Sequence, residues 1–232
     1  RAEQLGFDAV ATGHHARVSA SGLVARGADA GKDQSYVVGV LTAAQLRRVR
    51  FPIGSMTKAA VRARAAELGL RTAAKPDSQE VCFIRRADGR RGFLAARAAL
   101  TPGRVVDAGG AVVGEVDAVE LVTIGQRRGL GLPGGHAPRY VVGVDVAAAT
   151  VVVGDEADLL VRSTPVGPWT WAAGVRVGAE VVVQCSAHGP AAPAVVGDGV
   201  VRWRSPRRRV APGQLVVAYD DDEVVGSATA TG

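Results

Sequence analysis

The sequence predicts an α/β segment followed by a small β-rich central domain and a C-terminal β-barrel. Helix signals are concentrated in the first third of the chain, and after about residue 88 they give way to short β-branched runs punctuated by glycine. From about residue 159 strand-like runs recur at the spacing of a small barrel. We therefore predict domains at 1–88, 89–157 and 158–232.

The first segment carries strand and helix signals in alternation. Residues 1–13 predict the end of a helix, a turn at Gly6 and then a buried strand. Thr42 and Gln45 have the spacing of a capping box, which predicts a short helix that continues to about residue 48.

A second helix is predicted at 58–68, capped by Thr57 and ended by Gly69. Its apolar residues share one face, and its basic residues point away from that face. The apolar residues are Ala60, Val61, Ala65 and Leu68. We expect this face to be covered and the basic face to be solvated.

The central domain is predicted to contain a short entrance helix and two hairpins. The helix is expected at 91–100. Valine pairs on either side of residues 107–110 predict the first hairpin, and the runs 140–146 and 151–153 predict the second.

Short valine-rich runs predict the strands of the C-terminal barrel. They lie at 175–177, 180–185, 194–196, 200–204, 215–219 and 224–227. The acidic residues 220–223 fall between two of these runs, so a hairpin tip is the better interpretation than a metal site.

Composition is that of a folded globular protein. The chain has 232 residues, 47% apolar and 22% charged, and it contains neither a signal peptide pattern nor an apolar run of membrane-spanning length. The net charge of +6 comes mostly from arginine. Clusters at 127–128 and 202–209 suit an RNA backbone, although a solvated basic face remains an equal alternative.

The two cysteines lie far apart in sequence, and the four histidines show no metal-ligand spacing, which argues against structural zinc. A chain with so few cysteines is typical of a protein in a reducing cytoplasm. Cys82 follows four polar residues and precedes apolar ones, and Arg85 and Arg86 favour its thiolate. Its residue pattern indicates a reactive thiol, with a packed structural thiol as the alternative.

Five motifs, in order, resemble those of bacterial tRNA-specific 2-thiouridylases. Residues 77–84, Asp-Ser-Gln-Glu-Val-Cys-Phe-Ile, are similar to the second-cysteine motif of that family. The others lie at 11–17, 32–36, 123–131 and 212–214. The resemblance implies that residues 1–88 belong to a nucleotide-binding domain of the adenine nucleotide alpha hydrolase-like type. It also implies the ATP-dependent 2-thiolation of the wobble uridine, position 34 of tRNA.

The resemblance assigns roles to single residues. It makes Cys82 the persulfide carrier and Gly13 an ATP contact. It places His14, Lys32, Asp33, Gln34 and Gln214 against tRNA. Gln184 and Cys185 stand where the family has an Arg-Tyr pair, so the implied tRNA contact there lacks both the cation and the stacking ring.

The implied reaction needs ATP with Mg²⁺, tRNA, and a protein that donates persulfide sulfur, either a cysteine desulfurase or a relay protein. ATP adenylylates the base, the persulfide supplies sulfur, and a first cysteine then forms a disulfide that must be reduced. Neither that cysteine nor the family's Ser-Gly-Gly-x-Asp-Ser phosphate loop is found in residues 1–232. We therefore expect an N-terminally truncated, cytoplasmic sulfurtransferase without a metal ligand set.

Two other functions remain open at this point. One is a tRNA-binding fragment that lacks the phosphate loop and the first cysteine and is catalytically incompetent. The other is a thiol redox protein, whose Cys82 would be oxidised and reduced without any dependence on RNA.

Overall fold

The computed structural model describes residues 2–75, 89–134, 137–172, 174 and 177–232. The chain divides into two compact units. Unit 1 comprises Arg1–Lys75, Ser163–Ser205 and Pro212–Gly232, and unit 2 comprises Pro76–Arg162 and Pro206–Ala211.

The start of the chain, after a 3₁₀ turn, contains three short strands, two short helices, a fourth strand and a longer helix. The strands are β1 Val10–Ala11, β2 Ala16–Val18, β3 Val24–Arg26 and β4 Val49–Arg50, and the helices are α1 Ser35–Val38, α2 Ala43–Leu46 and α3 Lys58–Glu67. The middle of the chain holds α4 Gly89–Ala95, β5 Gly103–Val106, β6 Val112–Val116, β7 Tyr140–Asp145 and β8 Thr150–Gly154.

The remaining elements are strands. They are β9 Leu160–Pro165, β10 Thr170–Trp171, β11 Glu180–Gln184, β12 Ala192–Gly197, β13 Val200–Arg208, β14 Leu215–Asp220 and β15 Glu223–Thr229. The hairpin tip predicted at 220–223 is confirmed, because β14 ends at Asp220 and β15 begins at Glu223. The strand predicted at 175–177 lies partly outside the described residues.

Local capping signals predicted the helices well. At α2 the hydroxyl of Thr42 accepts from the N–H of Gln45, while the Gln45 side chain accepts from the N–H of Thr42, which completes the capping box. Thr57 caps α3 by accepting from Ala60, and Gly69 follows that helix with a φ of 65°. Both helix predictions are confirmed.

Burial in the same segment differs from the prediction. The first strand was expected to be buried, yet both residues of β1 are exposed. It pairs in parallel with β4 in a sheet of two strands. Helix α3 has no buried residue, and Leu68, at its end, is 58% exposed. An apolar run has the same sequence pattern whether or not another element packs on it, so the pattern alone could not distinguish these cases.

Unit 1 is organised around one large antiparallel sheet. The strand order is β2-β3-β15-β14-β11-β12-β13-β9, and β10 pairs separately with β15. An isolated bridge between Val166, just after β9, and Ala230, just after β15, links the last strand in this order back to β15. The hairpin of β2 and β3 was not predicted, and it joins this sheet where Ala25 pairs with Glu223.

The beginning and the end of the chain share one hydrophobic core. The N-terminal segment contributes residues from β2, β3 and the first two helices, and the last two strands contribute the rest. The core consists of Ala16, Val24, Tyr36, Val38, Leu46, Val217, Tyr219 and Val224. Unit 1 therefore depends on contacts between segments that are almost the whole chain length apart.

Unit 2 contains a four-stranded sheet in the order β6-β5-β8-β7. Both predicted hairpins are confirmed, and β5 and β8 pair in parallel. Helix α4 is shorter and earlier than the predicted 91–100. The chain leaves the helix after Ala95 in a turn in which Arg97 and Ala98 both donate to the Leu94 carbonyl. The core consists of Val105, Val116, Val119, Leu130, Val141, Val151 and Val153.

None of the helices in the described parts of the chain has both the length and the apolar character needed to cross a bilayer.

Candidate functional site

The segment between β3 and α1, residues 27–34, contains three of the predicted site residues, and we call it the Asp33 loop. Its polar side chains bond to the chain itself. The Asp33 carboxylate accepts from the N–H groups of Gly27 (2.9 Å) and Ser35 (3.0 Å), from the Ser35 hydroxyl (2.8 Å) and from Arg26 (3.0 Å). The Asp33 side chain is only 10% exposed. These four bonds fix the end of the loop.

Two further side chains hold the rest of the loop. The Gln34 side chain accepts from the N–H of His15 at 2.9 Å, and the Gln34 N–H donates to the His15 carbonyl. Asp29 accepts from the N–H of Lys58, the first residue of α3. Gln34 therefore ties the loop to His15, just before β2, and Asp29 ties it to the start of α3.

Lys32 lies exposed on the same loop. Its backbone N–H donates to the carbonyl of Asp29, which closes a tight turn. The arrangement presents an ammonium group on a backbone that is fixed on both sides. A group presented in this way loses little additional backbone freedom when it binds a phosphate.

Arg26 connects the loop to the barrel strands. Its Nη1 donates to Asp33 (3.0 Å) and to the side-chain oxygen of Gln184 (3.3 Å). Its guanidinium lies over the Tyr219 ring, 3.9 Å from the centroid. We call this group the Arg26 cluster, which comprises Arg26, Asp33, Ser35, Tyr36, Gln184, Gln214 and Tyr219.

Two tyrosines complete the Arg26 cluster. The hydroxyl of Tyr219 bonds to that of Ser35 at 3.0 Å. The Tyr36 hydroxyl donates to the Leu215 carbonyl at 2.7 Å and accepts from Gln214 at 3.2 Å. Burial raises the pKa of Tyr219 to about 12 and also raises the pKa of Tyr36. Both phenols are therefore neutral hydrogen-bonding groups at physiological pH.

The structure thus brings together three predicted site residues that are distant in sequence, namely Asp33, Gln184 and Gln214. Tyr36 belongs to the motif at 32–36, which predicted its ring as a stacking surface for RNA, but the ring is buried. Arg26 and Tyr219, which connect the cluster, were not predicted as site residues. The local sequence of Arg26 is that of an ordinary strand end, and Tyr219 lies in an apolar run. The pairing of β15 with β3 and β14, together with the pairing of β11 with β14, explains why these residues meet.

Gly13 and His14 lie shortly after β1 and do not belong to the Arg26 cluster. The Thr12 hydroxyl and His14 Nδ1 are 2.9 Å apart, which orients the imidazole. Among the described residues, a Cβ added at Gly13 would come no closer than 4.0 Å to another atom, at Ile53. At Gly54, in contrast, a Cβ would overlap the Ala16 carbonyl. Within the described parts of the chain, packing therefore requires glycine at 54 but not at 13, and Gly13 is exposed, which fits close approach by a nucleotide.

Cys82 and the rest of its motif lie outside the described residues. Cys185 is a half-buried thiol at the end of β11. Within the described parts of the chain, no three His, Cys, Asp or Glu side chains come together in a group that could hold a metal ion.

Family models match the chain in three consecutive stretches. The tRNA methyl transferase HUP domain matches residues 1–86, the tRNA methyl transferase PRC-barrel domain matches 91–155, and the aminomethyltransferase β-barrel domain matches 168–230. The class of protein is therefore a HUP-like domain followed by PRC-barrel and β-barrel domains.

Relatives from several mycobacteria identify the family. The tRNA-specific 2-thiouridylase MnmA of Mycolicibacterium smegmatis is 49% identical over 100% of this chain and 68% of its own length. The proteins of the same name from Mycolicibacterium gilvum and Mycobacteroides abscessus are 50% and 48% identical, over 67% and 68% of their lengths. The chain belongs to the tRNA-specific 2-thiouridylase family.

Proposed function

We propose that this protein transfers sulfur to C2 of the wobble uridine, position 34 of tRNA, in an ATP-dependent reaction in the cytoplasm. The observation that carries the proposal is the identity of about one half to 2-thiouridylases over essentially the whole chain. The three matching domains occur in order along the sequence.

The Asp33 loop supplies the proposed tRNA contact. Lys32 is exposed on it and offers a cation to an RNA phosphate, whereas Asp33 is almost completely occupied by donors of the chain. We assign Asp33 to positioning the loop. Gln34 lies on the same loop and bonds to His15, the residue after His14. The accessible polar groups of Gln34 and His14 can bond to the sugar or base edges of RNA.

Gln214, in the Arg26 cluster, extends this surface to the barrel, whereas Gln184 is only 6% exposed and is assigned to positioning Arg26. Gln184 uses its oxygen for Arg26 and its amide nitrogen for the Ser186 carbonyl at 2.8 Å. Gln214 donates to Tyr36, which leaves its oxygen as an acceptor for an RNA hydroxyl. We place Cys185, next to Gln184, on the same surface.

The nucleotide part of the proposal relies on Gly13. The open space beside it allows a nucleotide to reach the backbone after β1, and Mg²⁺ would accompany the phosphates. When bound, ATP supplies the activation that turns the C2 oxygen of uridine into a leaving group. His14, held by Thr12, lies next to this position.

Cys82 is the proposed sulfur carrier. Its thiolate accepts a sulfur atom from a persulfide donor protein, and the outer sulfur is then delivered to C2 of the base. Release of that sulfur requires a second thiol, which takes the place of the outer sulfur on Cys82 and forms a disulfide. A reductant must then restore the thiols.

The first experiment is complementation of a bacterial strain that lacks its 2-thiouridylase. The protein, expressed from its complete reading frame, should restore 2-thiouridine at position 34, measured by mass spectrometry of tRNA nucleosides. Cys82→Ser should reduce thiolation at least 10³-fold while leaving tRNA affinity within about twofold. Cys185→Ser removes the other thiol and should retain sulfur transfer at saturating tRNA.

Continued thiolation by Cys82→Ser would remove this cysteine from the mechanism. If the unmodified protein binds tRNA but restores no thiolation, the proposed activity is wrong and the tRNA-binding function is favoured. Oxidation and reduction of Cys82 at a rate independent of RNA would favour the redox protein.

A further inference from the structure

A second loop, residues 123–131 of unit 2, is held in place by one side chain, and we call it the Gln126 loop. The Gln126 side chain accepts from the N–H of Thr123 at 3.1 Å and donates to the carbonyl of Arg128 at 2.8 Å. Its backbone carbonyl accepts from the N–H of Val141 at 2.9 Å. Gln126 therefore fixes the loop both internally and against β7.

The end of the Gln126 loop is anchored by packing. Leu130 is 2% exposed and belongs to the core of unit 2. Gly131 has a φ of 60°, and a Cβ on Gly114 would lie 2.8 Å from the Leu130 carbonyl. The close approach of these backbones requires glycine. Arg127 and Arg128, between the two anchors, are exposed.

Arg127 forms one side of a groove of about 590 Å³. The described lining consists of two arginines and otherwise apolar residues or glycine, without an acidic side chain. It comprises Val112, Val113, Arg127, Leu132, Pro133, Gly134, Ala137, Pro138 and Arg139. Val112 is 62% exposed. We call this feature the arginine groove, and it combines an apolar wall with two permanent cations.

We propose that the arginine groove binds an unpaired nucleotide of the tRNA substrate, with the base against the apolar wall and the adjoining phosphate between Arg127 and Arg139. This inference rests on the proposed function for the identity of the RNA. The chemistry matches the occupant because a nucleotide has a flat apolar face and an anionic phosphate. Arg128, on the same anchored loop, contributes a further cation for the RNA backbone.

The test is a binding measurement on purified protein with the double variant R127A/R139A. Affinity for fluorescently labelled tRNA is measured by anisotropy at several salt concentrations. The Kd should rise about tenfold at 0.15 M salt, and the slope of log Kd against log salt should decrease by about 0.7 to 0.9, since the double variant loses its contact with one phosphate.

Arg104→Ala is the matched control. Arg104 is an exposed arginine of the same unit, where it donates to Thr150, and it does not line the groove. It should change the Kd less than twofold. Equal losses in the control and the double variant, or no loss in either, would overturn the proposal.

Photo-crosslinking of the unmodified protein to tRNA gives an answer that does not depend on how the variants fold. Adducts should map to peptides containing 112–113 or 127–134, and crosslinks confined to unit 1 would contradict the groove. Thiolation by the unmodified protein is measured in the same preparation. If the unmodified protein thiolates tRNA and the double variant binds tRNA with unchanged affinity, the groove proposal alone is wrong. If the double variant binds tRNA more weakly and the unmodified protein shows no thiolation, the proposed activity alone is wrong.

Discussion

The Asp33 loop and the Gln126 loop both expose basic residues, but they are anchored by different numbers of polar side chains. In the Asp33 loop three acceptor side chains, those of Asp29, Asp33 and Gln34, bond to the chain itself, and Lys32 is exposed. In the Gln126 loop one glutamine and a buried leucine provide the anchorage, and two arginines are exposed.

The difference shows that membership of a motif does not by itself indicate contact with a ligand. Asp33 belongs to the motif that suggests RNA binding, yet its two oxygens already accept from four donors. Substitutions that separate stability from binding can test this distinction at each loop.

The largest effect is expected for Asp33→Ala. It removes the acceptor for Gly27, Ser35 and Arg26 and leaves a partly buried guanidinium without its carboxylate, at a cost of about 3 kcal/mol in the free energy of unfolding. Lys32→Ala, at an exposed position, should change the free energy of unfolding by less than about 0.5 kcal/mol but weaken tRNA binding in a salt-dependent way.

Denaturant unfolding and anisotropy on both variants measure the two quantities. An Asp33→Ala protein with unchanged stability and weaker tRNA binding would make Asp33 a direct contact rather than a positioning residue.

Local hydrogen bonds were the part of the fold that sequence could predict. The capping box of α2, the cap of α3 and the tip of the last hairpin each involve residues no more than four positions apart. Residue type and spacing are sufficient to specify such contacts.

The Arg26 cluster could not be predicted in this way. Its bonds from Arg26 to Gln184, from Ser35 to Tyr219 and from Gln214 to Tyr36 join residues 158 to 184 positions apart. Such contacts depend on which strands pair, and strand pairing leaves no mark on the local pattern of β3 or β14. The role of Cys82 stays a prediction from its motif.

An effect of roughly 2 kcal/mol is expected at high pH from Tyr219. Its pKa is about 10 in the unfolded chain and about 12 in the folded protein. The folded state therefore retains the proton longer, so this contribution is complete below pH 10 and is lost as pH rises through 12. Tyr219→Phe should flatten the decline in stability between these values.

At pH 7 the same Tyr219→Phe variant should lose only about 1 kcal/mol, because the ring under Arg26 remains and only the bond to Ser35 is removed. Urea unfolding at pH 7, 10 and 11.5 separates the two effects. An equally steep alkaline decline in both proteins would show that the decline arises from groups other than Tyr219.

A similarly small loss is expected for Gln126→Ala, about 1 kcal/mol in the free energy of unfolding of unit 2. The loss of its bonds to Thr123 and Arg128 should allow the loop to move, so tRNA binding weakens although no charge is removed. Hydrogen exchange of residues 123–129 should become faster. Unchanged exchange together with unchanged binding would show that Leu130 alone is sufficient to fix the loop.

The pairing of Ala25 with Glu223 also affects how the protein is made. At about 5 to 20 residues per second, a ribosome needs about 10 to 40 s to synthesise the roughly 200 residues between these partners. During that interval the hairpin of β2 and β3 has left the ribosome without the strands that cover Ala16 and Val24. The N-terminal segment of each nascent chain is therefore exposed to chaperones and to neighbouring chains until the last two strands emerge.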